Sequence, residues 1–218
     1  YTVNDGNSGG NYAVTTQTAS GTISQAALTL SAATDTKTYD ATTASTGVVG
    51  VTGLQGSDTV TAATQSFDSR NAGARTPSVD AYPVNDVNGG GNYAVTTQTA
   101  SGAIAKAPLI LTAATDSKTY DATTTSTGTV AVTGLQGSDT VTGAAQSFNS
   151  RNAGARTLSV NNGYTVNDGN NGGNYTVTTQ TASGAIGARA LTVTADAAGK
   201  FSGVADPALT YSVGGGGL

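Results

Sequence analysis

The 218 residues include no cysteine, histidine, tryptophan, methionine or glutamate. Each absence closes a class of chemistry. Without His, Cys or Glu, the usual nucleophiles, general bases and zinc ligands shrink to Asp, Lys, Tyr, Ser and Thr, and an enzyme is not expected. Without Cys, no disulfide braces the fold. Zero Cys beside 30 glycines and abundant Thr, Ser and Asn fits an exported protein that avoids disulfides, and equally a small domain of another compartment. Positive charge is also scarce: 9 Lys and Arg stand against 13 acidic residues, for a net charge of −4 and a pI near 4.4. Phosphate backbones require a basic footprint, so nucleic acid is not an expected partner. No apolar run approaches the roughly 20 residues of a membrane helix, so no membrane segment is expected in this window, and no signal peptide is included.

What is present is a sentence written twice. Lys37-Thr38-Tyr39-Asp40-Ala41-Thr42-Thr43 recurs, 81 residues on, as Lys118-Thr119-Tyr120-Asp121-Ala122-Thr123-Thr124. Gly53-Leu54-Gln55-Gly56-Ser57-Asp58 returns from Gly134, and Ser69-Arg70-Asn71-Ala72-Gly73-Ala74-Arg75 returns from Ser150. One residue is then inserted, as Asp80-Ala81 becomes Asn161-Asn162-Gly163, which marks a loop. Residues 1–23 match residues 82–104, so the chain reads as opening on the last part of an earlier copy. The expected organisation is residues 1–25 as the end of a preceding repeat, 26–107 as repeat 1, 108–188 as repeat 2, and 189–218 as the start of a divergent module. We read the whole as a window from a longer polypeptide.

Strand signals dominate and helical periodicity is nowhere sustained. Residues 93–102 alternate, with Tyr93, Val95 and Thr97 on one face, as a half-buried strand does, and the same strand is expected from Tyr12 and from Tyr175. Further strands are expected at residues 109–113, 117–120, 127–133, 139–148, 155–160 and 164–167. The predicted fold is all-β: a tandem array of small β-sandwich or β-grasp-like domains of about 80 residues joined end to end. A period of this length argues against a cross-β or β-helical fibre, since the repeats of a solenoid coil run to roughly 20–30 residues. Tyr39, Phe67, Tyr82 and Tyr93 recur as Tyr120, Phe148, Tyr164 and Tyr175, as the anchors of small cores should. Only Ala105-Lys106-Ala107-Pro108 separate Ile104 from Leu109, too short for a flexible tether, so the domains are expected to form a semi-rigid rod.

Three features carry candidate chemistry. The loop Asn4-Asp5-Gly6-Asn7-Ser8-Gly9-Gly10-Asn11 recurs from Asn85 and from Asn167. Its oxygens make Asp5, Asn7, Asp86, Asn88, Asp168 and Asn170 candidate calcium ligands, and calcium the candidate cofactor, while a plain turn with positive-φ positions explains the same residues. An isopeptide bond is a second candidate, with Lys37 or Lys118 as amine, Asn71 or Asn152 as acceptor, and Asp58 or Asp139 assisting. Arg70, Arg75, Arg151 and Arg156 flank the Asn-Ala-Gly turn, as acidic-glycan contacts or as solvated charges.

With these blocks in view, the chain resembles the YDG-type repeats of large bacterial secreted and surface adhesins of the filamentous-haemagglutinin-like kind. Their Tyr-Asp-Gly-like motif reads here Tyr39-Asp40-Ala41 and Tyr120-Asp121-Ala122, with Ala in place of Gly. Ala205-Asp206-Pro207-Ala208-Leu209-Thr210-Tyr211 resembles the opening of the MBG-type module that follows such repeats. The resemblance implies an extracellular β-rich stalk or filament for attachment, biofilm or matrix, and supplies no catalytic residues. The expected partners are neighbouring repeats and copies of the chain in a fibre. The alternative is a multivalent module binding a surface glycan or protein, for which near-identical copies give avidity.

Overall fold

The Thr- and Val-rich runs form strands, and no helix occurs among the described residues. The computed structural model describes residues 1–215; Gly216, Gly217 and Leu218, which belong to the expected start of a divergent module, lie outside the described residues. Repeat 1 comprises β1 (Ala26–Ser31), β2 (Asp35–Thr38), β3 (Gly50–Thr52), β4 (Thr59–Val60), β5 (Thr64–Phe67), β6 (Gly73–Arg75), β7 (Pro77–Ala81), β8 (Val84–Asn85), β9 (Tyr93–Gln98) and β10 (Gly102–Ala105). Repeat 2 follows with β11 (Ala107–Thr112), β12 (Asp116–Thr119), β13 (Ala131–Thr133), β14 (Thr140–Thr142), β15 (Gln146–Phe148), β16 (Gly154–Val160), β17 (Thr165–Asn167), β18 (Tyr175–Gln180) and β19 (Ala182–Gly187). A hairpin of β20 (Thr192–Ala195) and β21 (Tyr211–Gly214) ends the described chain, exposed at every strand residue.

The pairing that orients each repeat is parallel. β1 runs beside β9 from Ala26↔Tyr93 to Ser31↔Gln98, and β2 beside β10 from Asp35↔Gly102 to Thr38↔Ala105, so both pairs keep one register. The hydrogen bonds Ala26 N to Asn92 O and Tyr39 N to Ala105 O close the two ends of this ribbon. Parallel first and last strands put entry and exit at opposite ends of a domain, whereas antiparallel ones would put them at the same end. From Ala26 to Thr38 the ribbon spans 12 steps, roughly 40 Å at strand rise. Only Lys106 separates β10 from β11, so the next domain starts where the last one stops.

Around the ribbon of repeat 1, β3 pairs with β1 and β6 with β10, both antiparallel, giving two three-stranded sheets, and β4–β8 and β5–β7 add two two-stranded ones. Leu28, Leu30, Val49 and Tyr93 fill the entry end of repeat 1. Phe148, Leu158 and Ile186 fill the exit end of repeat 2, with Tyr120 packed beside them. Gly184 lies under the ring of Phe148, where an added Cβ would meet Phe148 at 2.8 Å and the Asp116 carbonyl at 2.9 Å; Gly102 holds the same place beneath Phe67.

The structure refines several expectations. The run 139–148 splits into β14 and β15 at Gly143, whose φ is 71°, and the run 127–133 is a strand only over β13. The final strands β10 and β19 had no clear sequence signal, because Ser-Gly-Ala reads as a strand end. The stretch from Tyr12 is not a strand: β9 and β18 exist by pairing with β1 and β11, and residues 12–18 pair with nothing among the described residues. Where repeat 1 breaks between β6 and β7 at Pro77, repeat 2 has the continuous β16, because Leu158 supplies the amide that proline lacks and pairs with Ala182.

The Tyr-Asp-Ala turn has left-handed backbone at its third residue, φ 65° at Ala41 and 64° at Ala122. An L side chain there costs about 1–2 kcal/mol, which glycine avoids. Ala122 is exposed, so Ala122→Gly should raise stability by about 1 kcal/mol, read as a higher denaturant midpoint at unchanged slope.

Candidate functional site: the joint between the repeats

The most elaborate polar cluster lies where repeat 1 ends and repeat 2 begins. The Tyr39 hydroxyl donates to Asp139 Oδ2 at 2.9 Å, and the Tyr175 hydroxyl donates to the same oxygen at 2.7 Å. The two rings meet edge to face, 5.4 Å between centroids. Asp139 is 7% exposed, and Arg70 Nη2 reaches to 4.0 Å from its Oδ1 while donating to the Asp168 carbonyl at 3.0 Å. Asn174, with no exposed surface, accepts from the Ala72 amide at 2.9 Å and donates to Asn71 Oδ1 at 3.3 Å. Thus Tyr39, Arg70, Asn71 and Ala72 of one repeat meet Asp139, Asp168, Asn174 and Tyr175 of the next.

Apolar packing crosses the same boundary. Tyr39, Phe67 and Ile104 of repeat 1 share one buried cluster with Leu109, Leu111, Val130, Val166 and Tyr175 of repeat 2. Two glycines make room: a Cβ on Gly137 would lie 2.8 Å from the Ala41 Cβ, and one on Gly169 would lie 3.2 Å from Arg70 Nη2. The repeats are therefore continuous in their core rather than strung beads.

Local rules prepare both faces. The Asn-Asp loop is an Asx turn: Asp168 Oδ1 accepts from the Asn170 and Gly172 amides, both at 2.8 Å, and Oδ2 from the Asn174 amide at 3.0 Å. Asp86 makes the equivalent three bonds, and Asp5 does so in a segment that has no strands, so the loop is encoded locally. Here the loop's own amides supply the positive charge a calcium ion would bring, and Asn88 and Asn170 turn their side-chain amides to Asn92 and Asn174. Among the described residues no three metal-ligating acidic side chains come together. On the opposite face, Lys37 fixes the Tyr-Asp-Ala turn by donating to Asp40 Oδ1 at 2.7 Å and to Thr42, and Lys118 does the same with Asp121 and Thr123.

The isopeptide candidates are thus engaged with different partners. The Lys37 amine is held at its own turn, Asn71 bonds Asn174 across the joint, and Asp58 accepts from Tyr93 at 2.7 Å. The four arginines also divide. Arg75 and Arg156 brace their own turns through the carbonyls of Asn71 and Ala72, and of Asn152 and Ala153, while Arg70 crosses the joint and Arg151 is exposed. Sequence reasoning missed Tyr39 as a polar group. It also missed buried Gln65 and Gln146, which bind both backbone groups of Ala33 and Ala114. Tyr39 and Asp139 are 100 residues apart, and only their recurrence in both copies gave a signal.

The YDG domain model matches residues 24–100 and again 105–182. The chain belongs to the YDG domain family. No curated protein and no solved structure matches it. The two matched YDG domains are the two repeats of the structure, and the joint is the contact of one YDG domain with the next.

The electrostatics give this joint a pH window. Burial, then the bond to Asp139, pushes the Tyr175 phenol from 10.0 up to about 12, and the same causes raise Tyr39. Folded values above unfolded ones mean stability that is complete below pH 10 and lost as pH rises toward about 12. Asp168 is the opposite case: burial raises it, the amides of Gly172, Asn174 and Asn170 outweigh burial, and it lies below the ordinary 3.8. Its contribution is present above that value and lost as pH falls below it. In an ultraviolet phenol titration, Tyr39 and Tyr175 should ionise above the ordinary phenol value of 10.0 and together with loss of folded signal; ionisation of both at that value with the folded signal retained would contradict this. Intact mass should equal that of the unmodified sequence, since a Lys–Asn bond would lower it by one ammonia per domain.

Proposed function

We propose that this chain is a structural repeat region of an extracellular bacterial adhesin or filament, in which docked YDG domains give a rigid stalk for attachment, biofilm or matrix. In this reading the chain is secreted or held on the cell surface, and residues 189–218 start an MBG-type module. The observation that carries the proposal is the continuous joint: a buried Tyr39–Asp139–Tyr175 cluster and a shared core span a one-residue connector. A linker permits reach without direction, whereas a packed joint transmits direction from domain to domain. The loops at Asp86 and Asp168 direct their oxygens to their own amides, which suits a stalk better than a ligand site.

Small-angle scattering tests the stalk reading. Two docked YDG domains should scatter as a stiff rod of roughly 80 Å, from strand rise over two ribbons. Asp139→Ala leaves two buried phenols without their acceptor, at about 1–3 kcal/mol each, and should give a hinged pair whose single domains still melt cooperatively. A wild-type profile already averaged over bent shapes would overturn the proposal.

A further inference from the structure

In each YDG domain the first and last strands lie side by side and point the same way, which fixes how a pull along the chain acts on the fold. Tension enters repeat 1 at Ala26, where β1 starts, and leaves at Ala105, where β10 stops. These points are at opposite ends of the β1–β9 and β2–β10 ribbon, so the pull runs along the strands and shears the inter-strand hydrogen bonds together. The ladder from Ala26↔Tyr93 to Ser31↔Gln98 and the ladder from Asp35↔Gly102 to Thr38↔Ala105 share the load. The bonds Ala26 N to Asn92 O, Ala32 N to Gln98 O and Tyr39 N to Ala105 O extend them. Antiparallel first and last strands would instead begin and end on one side of the domain, and the same pull would open their bonds one at a time.

Side chains brace the ribbon where its ladder is interrupted. Ala32, Ala33 and Thr34 separate β1 from β2, and there the buried Gln65 accepts from Ala33 N at 2.7 Å and donates to the Ala33 carbonyl at 3.0 Å. Gln146 makes the same two bonds with Ala114, at 2.6 Å and 2.9 Å. Other side chains tie first strand to last. Ser31 Oγ donates to Gln98 Oε1 at 2.9 Å, Thr112 Oγ1 to Gln180 Oε1 at 3.1 Å, and Gln25 Nε2 to the Gly91 carbonyl at 3.0 Å.

The device recurs in series. β11 and β12 lie parallel to β18 and β19 in the matching registers. Between the domains the pull passes through covalent bonds, because β10 continues through Lys106 alone into β11. The connector holds no slack, so tension does not first spend itself on straightening a linker.

We propose that each YDG domain is a tension clamp, built to resist a pull along the chain that it would not resist in another direction. As a use, this rests on the stalk reading, since a stalk that attaches two surfaces carries the force between them. Forced unfolding is governed by the unfolding rate rather than by equilibrium stability, so a small domain of ordinary stability can serve.

The test pulls one domain in two directions. The chain has no cysteine, so introduced thiols are unique handles. Ser24, Val87 and Lys106 are exposed. Ser24→Cys with Lys106→Cys loads the ribbon of repeat 1 along its length. Ser24→Cys with Val87→Cys loads it from one end, because the Asp86 loop ties Val87 to Asn92, whose amide donates to Asp86 Oδ2 at 3.0 Å and whose carbonyl accepts from Ala26 N. Unchanged melting curves verify that both variants of the full chain fold.

In single-molecule force spectroscopy the first pair should give one cooperative rupture. The extension gained is the reach of the residues between the handles less the folded ribbon, roughly 240 Å. Its force should be several-fold above that of the second pair. Both pairs report on the same folded domain, so stability cancels and only direction differs. Equal forces in the two directions overturn the proposal, as does stepwise release of the first pair at low force. Either result leaves a rod-like scattering profile, and with it the stalk reading, intact. A hinged profile beside a strong directional difference defeats the stalk reading and leaves the clamp.

Discussion

A carboxylate withdrawn from water must find donors, and Asp139 finds them on both sides of a domain boundary. Its Oδ2 takes one phenol from its own repeat and one from the repeat before, with Arg70 alongside. Neither repeat can satisfy this group in the same way alone, so the domains are coupled by the cost of leaving buried polar atoms unpaired. The edge-to-face ring pair and the apolar cluster around it depend on the same approach distance, because Tyr39 and Tyr175 are at once hydrogen-bond donors and core residues.

The direction of that coupling comes from the sheet. A parallel ribbon of first and last strands sends the chain in at the Asp-Asn-Tyr face and out at the Tyr-Asp-Ala face. Each repeat therefore presents unlike surfaces at its two ends, and stacking can only proceed in one sense. Gly137 and Gly169 permit the close approach, while Lys37 and Arg75 stiffen the turns that make the approaching face. The residues identical between the copies thus fall into two groups: those that fold a domain and those that join one domain to the next.

The all-β class, the two copies and the short junction were legible in the sequence, because period-two alternation, Asn-Asp-Gly turns and an internal offset are local signals. The joint was not legible. Asp58 and Asp139 recur in register, but recurrence does not say whether Asp139 meets the tyrosine of its own copy or of the one before, and it meets both. The arginine pair shows the same limit: Arg70 and Arg75 look alike beside an Asn-Ala-Gly turn, yet one braces the turn and the other crosses to Asp168. The strand β10 carries no local signal because Gly102 looks like punctuation, when its missing side chain is what lets Phe67 lie against the ribbon. The Asx loops read as cation candidates because their composition is oxygen-rich, while the structure turns the Asp168 oxygens to the loop's own amides.

The central claim is that two YDG domains move as one body through a buried, shared polar cluster. Residual dipolar couplings measured on both domains of the full chain in one alignment medium test it most directly. A single alignment tensor fitting residues 26–105 and 107–187 together is the predicted result. Two tensors of different magnitude would mean that the domains reorient independently, and would contradict the account.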